Sequence, residues 1–165
     1  MLTIGKLSKA TGVKVNYQSI GSSGGIRQIR AKTVAFGATD APLSGAELEK
    51  DGMVQFPAII GGTVPVLNLE GFKQGELRVT GPVLAEMFMG TISKWNDPKF
   101  AALNPGKNLP DQAITVVHRS DKSGTTQNFV SYFKDVTPDN WTYDLSENWP
   151  NEVGQGAKGT SGVIS

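Results

Sequence analysis

One local design occurs twice in this chain, and it constrains the fold more than any other feature. A strand-like segment runs into a small, hydroxyl-rich glycine loop, and the loop opens a helix-like segment. The first copy is Ile20-Gly21-Ser22-Ser23-Gly24-Gly25-Ile26, which follows the alternating, β-branched run at 13–20. The second is Val117-His118-Arg119-Ser120-Asp121-Lys122-Ser123-Gly124-Thr125-Thr126, which follows a strand-like run at 114–117. Strand, turn and helix in that order are the unit of α/β architecture. The unit also carries a chemistry. The first turn of a helix presents unpaired backbone N–H groups at the positive end of its dipole. Glycine admits an anion close to the backbone, and Ser and Thr hydroxyls add donors without charge. Two such cradles facing each other would enclose a tetrahedral oxyanion. Taken singly, each is equally compatible with a plainer structure: GSSGG with a turn or linker, RSDKSGTT with an N-capped turn.

The remaining segments alternate in the same α/β manner. A short helix is expected over 26–31 and a second short strand over 34–39, ending at Asp40. Ser44-Gly45-Ala46-Glu47 fits a capping box whose helix reaches Lys50 and stops at Gly52. Residues 53–69 read as strand, Gly-Gly break, strand, with Pro57 and Pro65 arguing against a central position. Thr80-Gly81-Pro82 opens a helix through 83–89 with Gly90 as its stop. Helical pieces are expected over 93–103, interrupted at Asn96-Asp97-Pro98, followed by a turn at Asn104-Pro105-Gly106. Residues 119–126 read as a polar loop and 127–133 as a helix. Beyond Asp135 the pattern is polar and turn-rich, and a further helix begins near Gly159.

Several function classes are excluded by composition. With 16 basic residues against 15 acidic ones, there is no basic surplus for nucleic acid. There is no cysteine, so disulfides, Cys-ligated zinc and iron–sulfur clusters are out, and a lone histidine, His118, cannot build a multi-His metal site. The apolar run around 56–60 is far too short to cross a membrane. The start, MLTIGKLSKATG, lacks the apolar core of a secretory signal, so either the protein stays inside the cell or a leader has been removed. A P-loop needs Lys and then Ser or Thr directly after its last glycine. Here Ile26 follows Gly25, Thr125 follows Gly124, and Lys122 lies before Ser123.

In order along the chain, a set of segments resembles the substrate-binding protein of high-affinity phosphate ABC transporters. They are Val15-Asn16-Tyr17-Gln18 running into Gly21-Ser22-Ser23-Gly24-Gly25, Phe36-Gly37-Ala38-Thr39-Asp40-Ala41-Pro42-Leu43, and Gln55-Phe56-Pro57 with Gly61-Gly62. Further on come Gly90-Thr91-Ile92-Ser93-Lys94-Trp95-Asn96-Asp97, Leu103-Asn104-Pro105-Gly106 and Arg119-Ser120-Asp121-Lys122-Ser123-Gly124-Thr125. The resemblance implies a two-lobe, type II periplasmic-binding-protein-like α/β fold with an incomplete first lobe. Residues 1–62 would be the N-terminal part of lobe 1, and 63–165 would be lobe 2, incomplete at its C-terminal end. It implies inorganic phosphate as ligand and ABC permease subunits in the membrane as partners. No cofactor, metal, nucleic acid or catalysis is implied. The place of work would be periplasmic or extracytoplasmic, with a lipid anchor in some full-length forms.

Roles follow residue by residue from the same resemblance. Ser22 donates hydroxyl and backbone N–H to phosphate, and Asp40 accepts a hydrogen bond from the protonated ligand. Arg119 pairs with the anion, and Asp121 holds that arginine. Ser123, Gly124 and Thr125 donate hydroxyls and N–H groups, with Ser23 in support. A carboxylate aimed at an anion makes sense only if the guest still carries a proton, as phosphate does near neutral pH and sulfate does not. By residue pattern alone, Asp40 also fits an Asx-turn before Pro42, and Arg119 a surface ion pair. His118 is expected to pack or to face solvent, with no ligand role, and Trp95, Trp141 and Trp149 are expected to pack.

The family pattern also includes a Gly-Ala-Thr-Phe-Pro-like segment upstream and about as much chain again downstream. Lys122 stands where many relatives have glycine, so the loop must suit a side chain. A chain lacking both segments is expected to bind more weakly and to self-associate through bare strand edges. The rivals are another oxyanion such as sulfate or molybdate, a phosphatase, and a non-binding fragment. For the phosphatase reading, Ser22, Ser123 and Thr125 lack an evident base.

Overall fold

A computed structural model of the chain describes residues 9–165. The first eight residues, within the MLTIGKLSKATG start and the 1–62 assignment, lie outside the described residues. Helix α1 spans Gly21–Arg30, α2 Gly45–Asp51, α3 Gly81–Phe88, α4 Pro98–Leu103, α5 Gly124–Val136 and α6 Gly159–Ile164. Strand β1, Val117–Arg119, pairs in parallel with β2, Gln155–Ala157, so that His118 lies opposite Gly156.

Local chemistry explains most helix ends. At α2 the capping box forms as expected: Ser44 Oγ accepts from the Glu47 N–H, and Glu47 accepts from the Ser44 N–H. That bond, then those from the Ser44 hydroxyl and Arg30, pulls Glu47 down to about 2. Gly52, in the left-handed conformation, closes α2. Pro82 sits in the first turn of α3 and Pro98 in that of α4, where a missing N–H costs nothing. Arg30 at the end of α1 reaches both Glu47 and Asp51, tying α1 to α2.

The core is aromatic. Phe133 on α5 packs against Phe129, Trp141 and Phe88, with ring centroids 4.4–5.6 Å apart. Leu69 ahead of α3, Leu84, Ala85 and Met87 of α3, Phe100 of α4, Ile92, Trp95 and Val130 complete it, and every buried member lies beyond residue 62. Trp95 and Trp141 are buried packing residues as expected. Trp149 stacks on His118 with centroids 4.9 Å apart, so both rings pack.

The sequence reading needs correction in its strands. Residues 13–20, 34–39 and 53–69 form no strand, although their alternation and β-branching predict one. A strand is completed by a neighbour's N–H and C=O groups, and among the described residues none runs beside these segments. Among the described residues, 54–68 make no backbone–backbone hydrogen bond, and their side chains stand in solvent, Ile60 at 97% and Val54 at 90% exposure. Two other boundaries move. The strand expected at 114–117 is found three residues later, where β2 offers a partner. The helices expected at 26–31 and 127–133 begin earlier, at Gly21 and Gly124, so both glycine loops are themselves first helical turns.

Candidate functional site

The two helix starts meet. A Cβ placed on Gly124, the first residue of α5, would lie 2.6 Å from Ser22 Oγ on α1 and 2.7 Å from the Ala41 N, which the fold could not accommodate. Only hydrogen fits there. A second close approach sets the Asp40 segment on α1: a Cβ on Gly25 would be 2.7 Å from the Ala38 carbonyl oxygen, and one on Gly37 2.8 Å from that of Gly25. Residues 36–41 therefore lie flat on the start of α1 and carry Asp40 to the corner where both helices begin.

Asp40 is the junction. Its N–H donates to Ser22 Oγ at 3.1 Å, and its carbonyl accepts from Asn128 Nδ2 of α5 at 2.9 Å. Its Oδ2 accepts from the Thr125 hydroxyl at 2.8 Å. The local turn is closed by Thr39, whose hydroxyl accepts from the Ala41 N–H and donates to the Ala41 carbonyl. The carboxylate is thus spared from an Asx-turn and faces α5. Asp40 stays exposed, whereas Ser22 and Ser123 are buried. The pairing of Thr125 with Asp40 also corrects the expectation that none of the hydroxyls has a basic neighbour. The histidine that could make a stronger base is stacked on Trp149, with Nδ1 3.0 Å from the Arg119 carbonyl oxygen.

The donors are arranged differently on the two sides. Ser123 caps α5, its hydroxyl accepting from the Thr126 N–H. Among the described residues no side chain caps α1, so its first-turn N–H groups keep their donor capacity. Arg119 at the end of β1 lies against the same corner: its Nη2 would be 3.4 Å from a Cβ on Gly21. Arg119 donates through Nε and Nη2 to both oxygens of Asp121. Its side chain is only 12% exposed, so this is no surface ion pair. The Gly159 N–H, at the start of α6, also donates to Asp121. The bond from Arg119, then that N–H and the guanidinium charge, hold Asp121 well below the usual carboxylate range against the effect of burial. The bond to Asp121 in turn raises Arg119, helped by the charges of Asp121 and Asp40. The pair carries little net charge, so what the corner offers an anion is chiefly oriented N–H and O–H dipoles beside one guanidinium edge.

All of Ser22, Asp40, Arg119, Ser123, Gly124 and Thr125, with Ser23 and Asp121 beside them, therefore gather at one corner. Lys122 has no left-handed backbone, in keeping with a side chain at that position. Among the described residues no cluster of His, Cys, Asp and Glu could hold a metal ion, and no helix is long and apolar enough to cross a membrane. Sequence reasoning missed Asn128 and Glu147. Asn128 had a signal, since it lies three residues after Thr125 on the same helical face. Glu147, whose carboxylate accepts from the Ser23 hydroxyl at 2.7 Å, lies in the unassigned polar stretch and had none.

A family model described as a PBP superfamily domain matches residues 2–165. Over 160 residues the chain is 53% identical to "Phosphate-binding protein PstS" of Xylella fastidiosa, covering 94% of this chain and 43% of that protein. It is 54% identical over 161 residues to the protein of that name from Pasteurella multocida, covering 95% and 46%. "Phosphate-binding protein PstS 2" of Mycobacterium tuberculosis is 34% identical over 160 residues, covering 92% and 43%. The chain thus spans less than half the length of these curated relatives.

The Arg119–Asp121 pair yields a pH prediction. Because folding lowers the Asp121 pKa, its stabilisation is fully present above the unfolded value of ~3.9 and is lost as pH falls through the lower folded value. Asp121→Asn should therefore be less stable than the parent at neutral pH, and the gap should close on acidification below about pH 4. Urea unfolding of both proteins from neutral to acid pH checks this. A gap independent of pH would count against the pair.

Proposed function

Given that the chain belongs to the PBP superfamily, we propose that it supplies the phosphate-gripping corner of a phosphate-binding protein that serves an ABC-type importer outside the cytoplasmic membrane. The chain binds a protonated tetrahedral oxyanion and makes or breaks no bond in it. Ser22 donates through its hydroxyl and N–H, Ser123 through its hydroxyl, and Gly124 and Thr125 through their N–H groups, the Thr125 hydroxyl being held by Asp40. Arg119 offers its guanidinium edge under the hold of Asp121, and Ser23 gives support. Asp40 accepts the proton of the guest. Residues 1–62 belong to one lobe and 63–165 to the other, with the anion between them.

One observation carries the reading. The hydroxyl of Thr125 and the carboxylate of Asp40, 85 positions apart in sequence, are 2.8 Å apart in space, with Ser22 bonded to the same aspartate. Local turns would not require this meeting. The names of the relatives favour phosphate among the oxyanions. Asp40 points the same way, because a fully deprotonated guest would set acceptor against acceptor.

A second property follows from the uncharged segment 54–68, whose backbone is unpaired and whose side chains are exposed. An exposed apolar segment of this kind invites contact with a copy of itself. The chain alone should self-associate in a concentration-dependent way, read by light scattering after size-exclusion chromatography. Replacing Val54, Ile60 and Val66 by lysine should shift it toward monomer, and a monomer at every concentration would contradict the proposal.

Calorimetry tests the ligand. Near neutral pH, phosphate should release heat on binding and sulfate almost none, because sulfate would set an acceptor against the Asp40 carboxylate. Asp40→Asn should narrow that preference. Equal binding of the two ions by the parent chain would remove the case for phosphate, and steady hydrolysis of a phosphate monoester would remove the case against catalysis.

A further inference from the structure

Apart from Asp40, one more residue reaches both helix starts. The backbone oxygen of Glu147 accepts from the Ser123 N–H at 2.9 Å, at the N-cap of α5. Its carboxylate Oε2 accepts from the Ser23 hydroxyl at 2.7 Å, in the first turn of α1. Its mount is stiff. Two residues on, Trp149 stacks on His118, meets Phe88 and Trp141, and donates through Nε1 to Asn151. The other carboxylate oxygen, Oε1, is buried and accepts from no described group. Leaving a buried carboxylate oxygen without a donor is unfavourable. An apolar residue of similar size would spare the fold that penalty, so stability alone does not account for an acid here.

We propose that Glu147 is a positioning residue for anion binding, a second strap that ties the first turn of α1 to the N-cap of α5 independently of Asp40. For its ligand this rests on the phosphate reading above. The strap fixes the separation of two sets of N–H donors that must meet one small ion, and misplacing either set by a fraction of an ångström weakens every bond it makes. It also draws the Ser23 proton to itself. The contacts of α1 with the guest then fall to Ser22 and the backbone N–H groups.

The test uses the 165-residue chain with Glu147→Ala, Glu147→Gln, Ser23→Ala and the Ser23→Ala/Glu147→Ala double variant. In phosphate calorimetry each alanine variant should bind about tenfold more weakly, the scale of one hydrogen bond to a charged group. The double variant should be no weaker than either single to within about twofold, because both remove the same tie. Glu147→Gln keeps an acceptor for Ser23 and should stay within about threefold of the parent. Parent-like binding by Glu147→Ala, or single losses that multiply in the double, would overturn the proposal. Amide hydrogen exchange without any anion gives a second reading. Glu147→Ala should speed exchange over 22–25 and Glu147→Gln should not; unchanged exchange in both would overturn it. A parent chain that binds no phosphate would sink the phosphate reading while the exchange result still decides the role of Glu147.

Discussion

The contact on which the rest of the site depends is the one made by a missing side chain. At Gly124 the start of α5 comes so near α1 that Ser22 Oγ and the Ala41 N occupy the space a Cβ would need. That approach lets Asp40 bond to Ser22 on one helix and to Thr125 and Asn128 on the other. Without it the two dipoles would point into separate volumes, and neither alone would hold a small anion against water. The Gly25–Gly37 approach serves the same end one step back, by laying the Asp40 segment on α1.

The Arg119–Asp121 pair at the corner is close to neutral, which bears on selectivity. Asp121 cancels most of the Arg119 charge while fixing the guanidinium in place. Attraction by net charge would be indiscriminate among anions. Oriented donors and one acceptor instead read where the guest has lone pairs and where it has a proton. In the proposed reading this is why a carboxylate belongs in an anion site at all: Asp40 rewards a guest with a hydrogen to give and repels one without.

Much of this was legible in the sequence because it is local. Ser44 and Glu47 announce a capping box, Pro82 and Gly90 bracket a helix, and hydroxyl-rich glycine loops announce helix starts; each depends on residues within a turn of one another. The grouping of Ser22, Asp40 and the Arg119–Thr125 stretch was legible only through a family resemblance, since no local pattern says which distant loops will touch. The strands at 13–20, 34–39 and 53–69 misled for the same reason. Alternation specifies a face, but a strand exists only when a second strand completes its hydrogen bonds, and the described residues supply none. Glu147 was invisible because its position comes from Trp149 packing on His118, a tertiary contact within a stretch without periodicity.

The central claim is that both helix starts grip the same ion. Solution NMR of the isotope-labelled chain titrated with phosphate tests it most directly, through the amide resonances of Ser22 and Ser23 on α1 and of Gly124 and Thr125 on α5. The account predicts that both sets move together along one saturation curve, as N–H groups donating to a shared anion must. Movement confined to one helix start, or two sets that saturate at different concentrations, would contradict it.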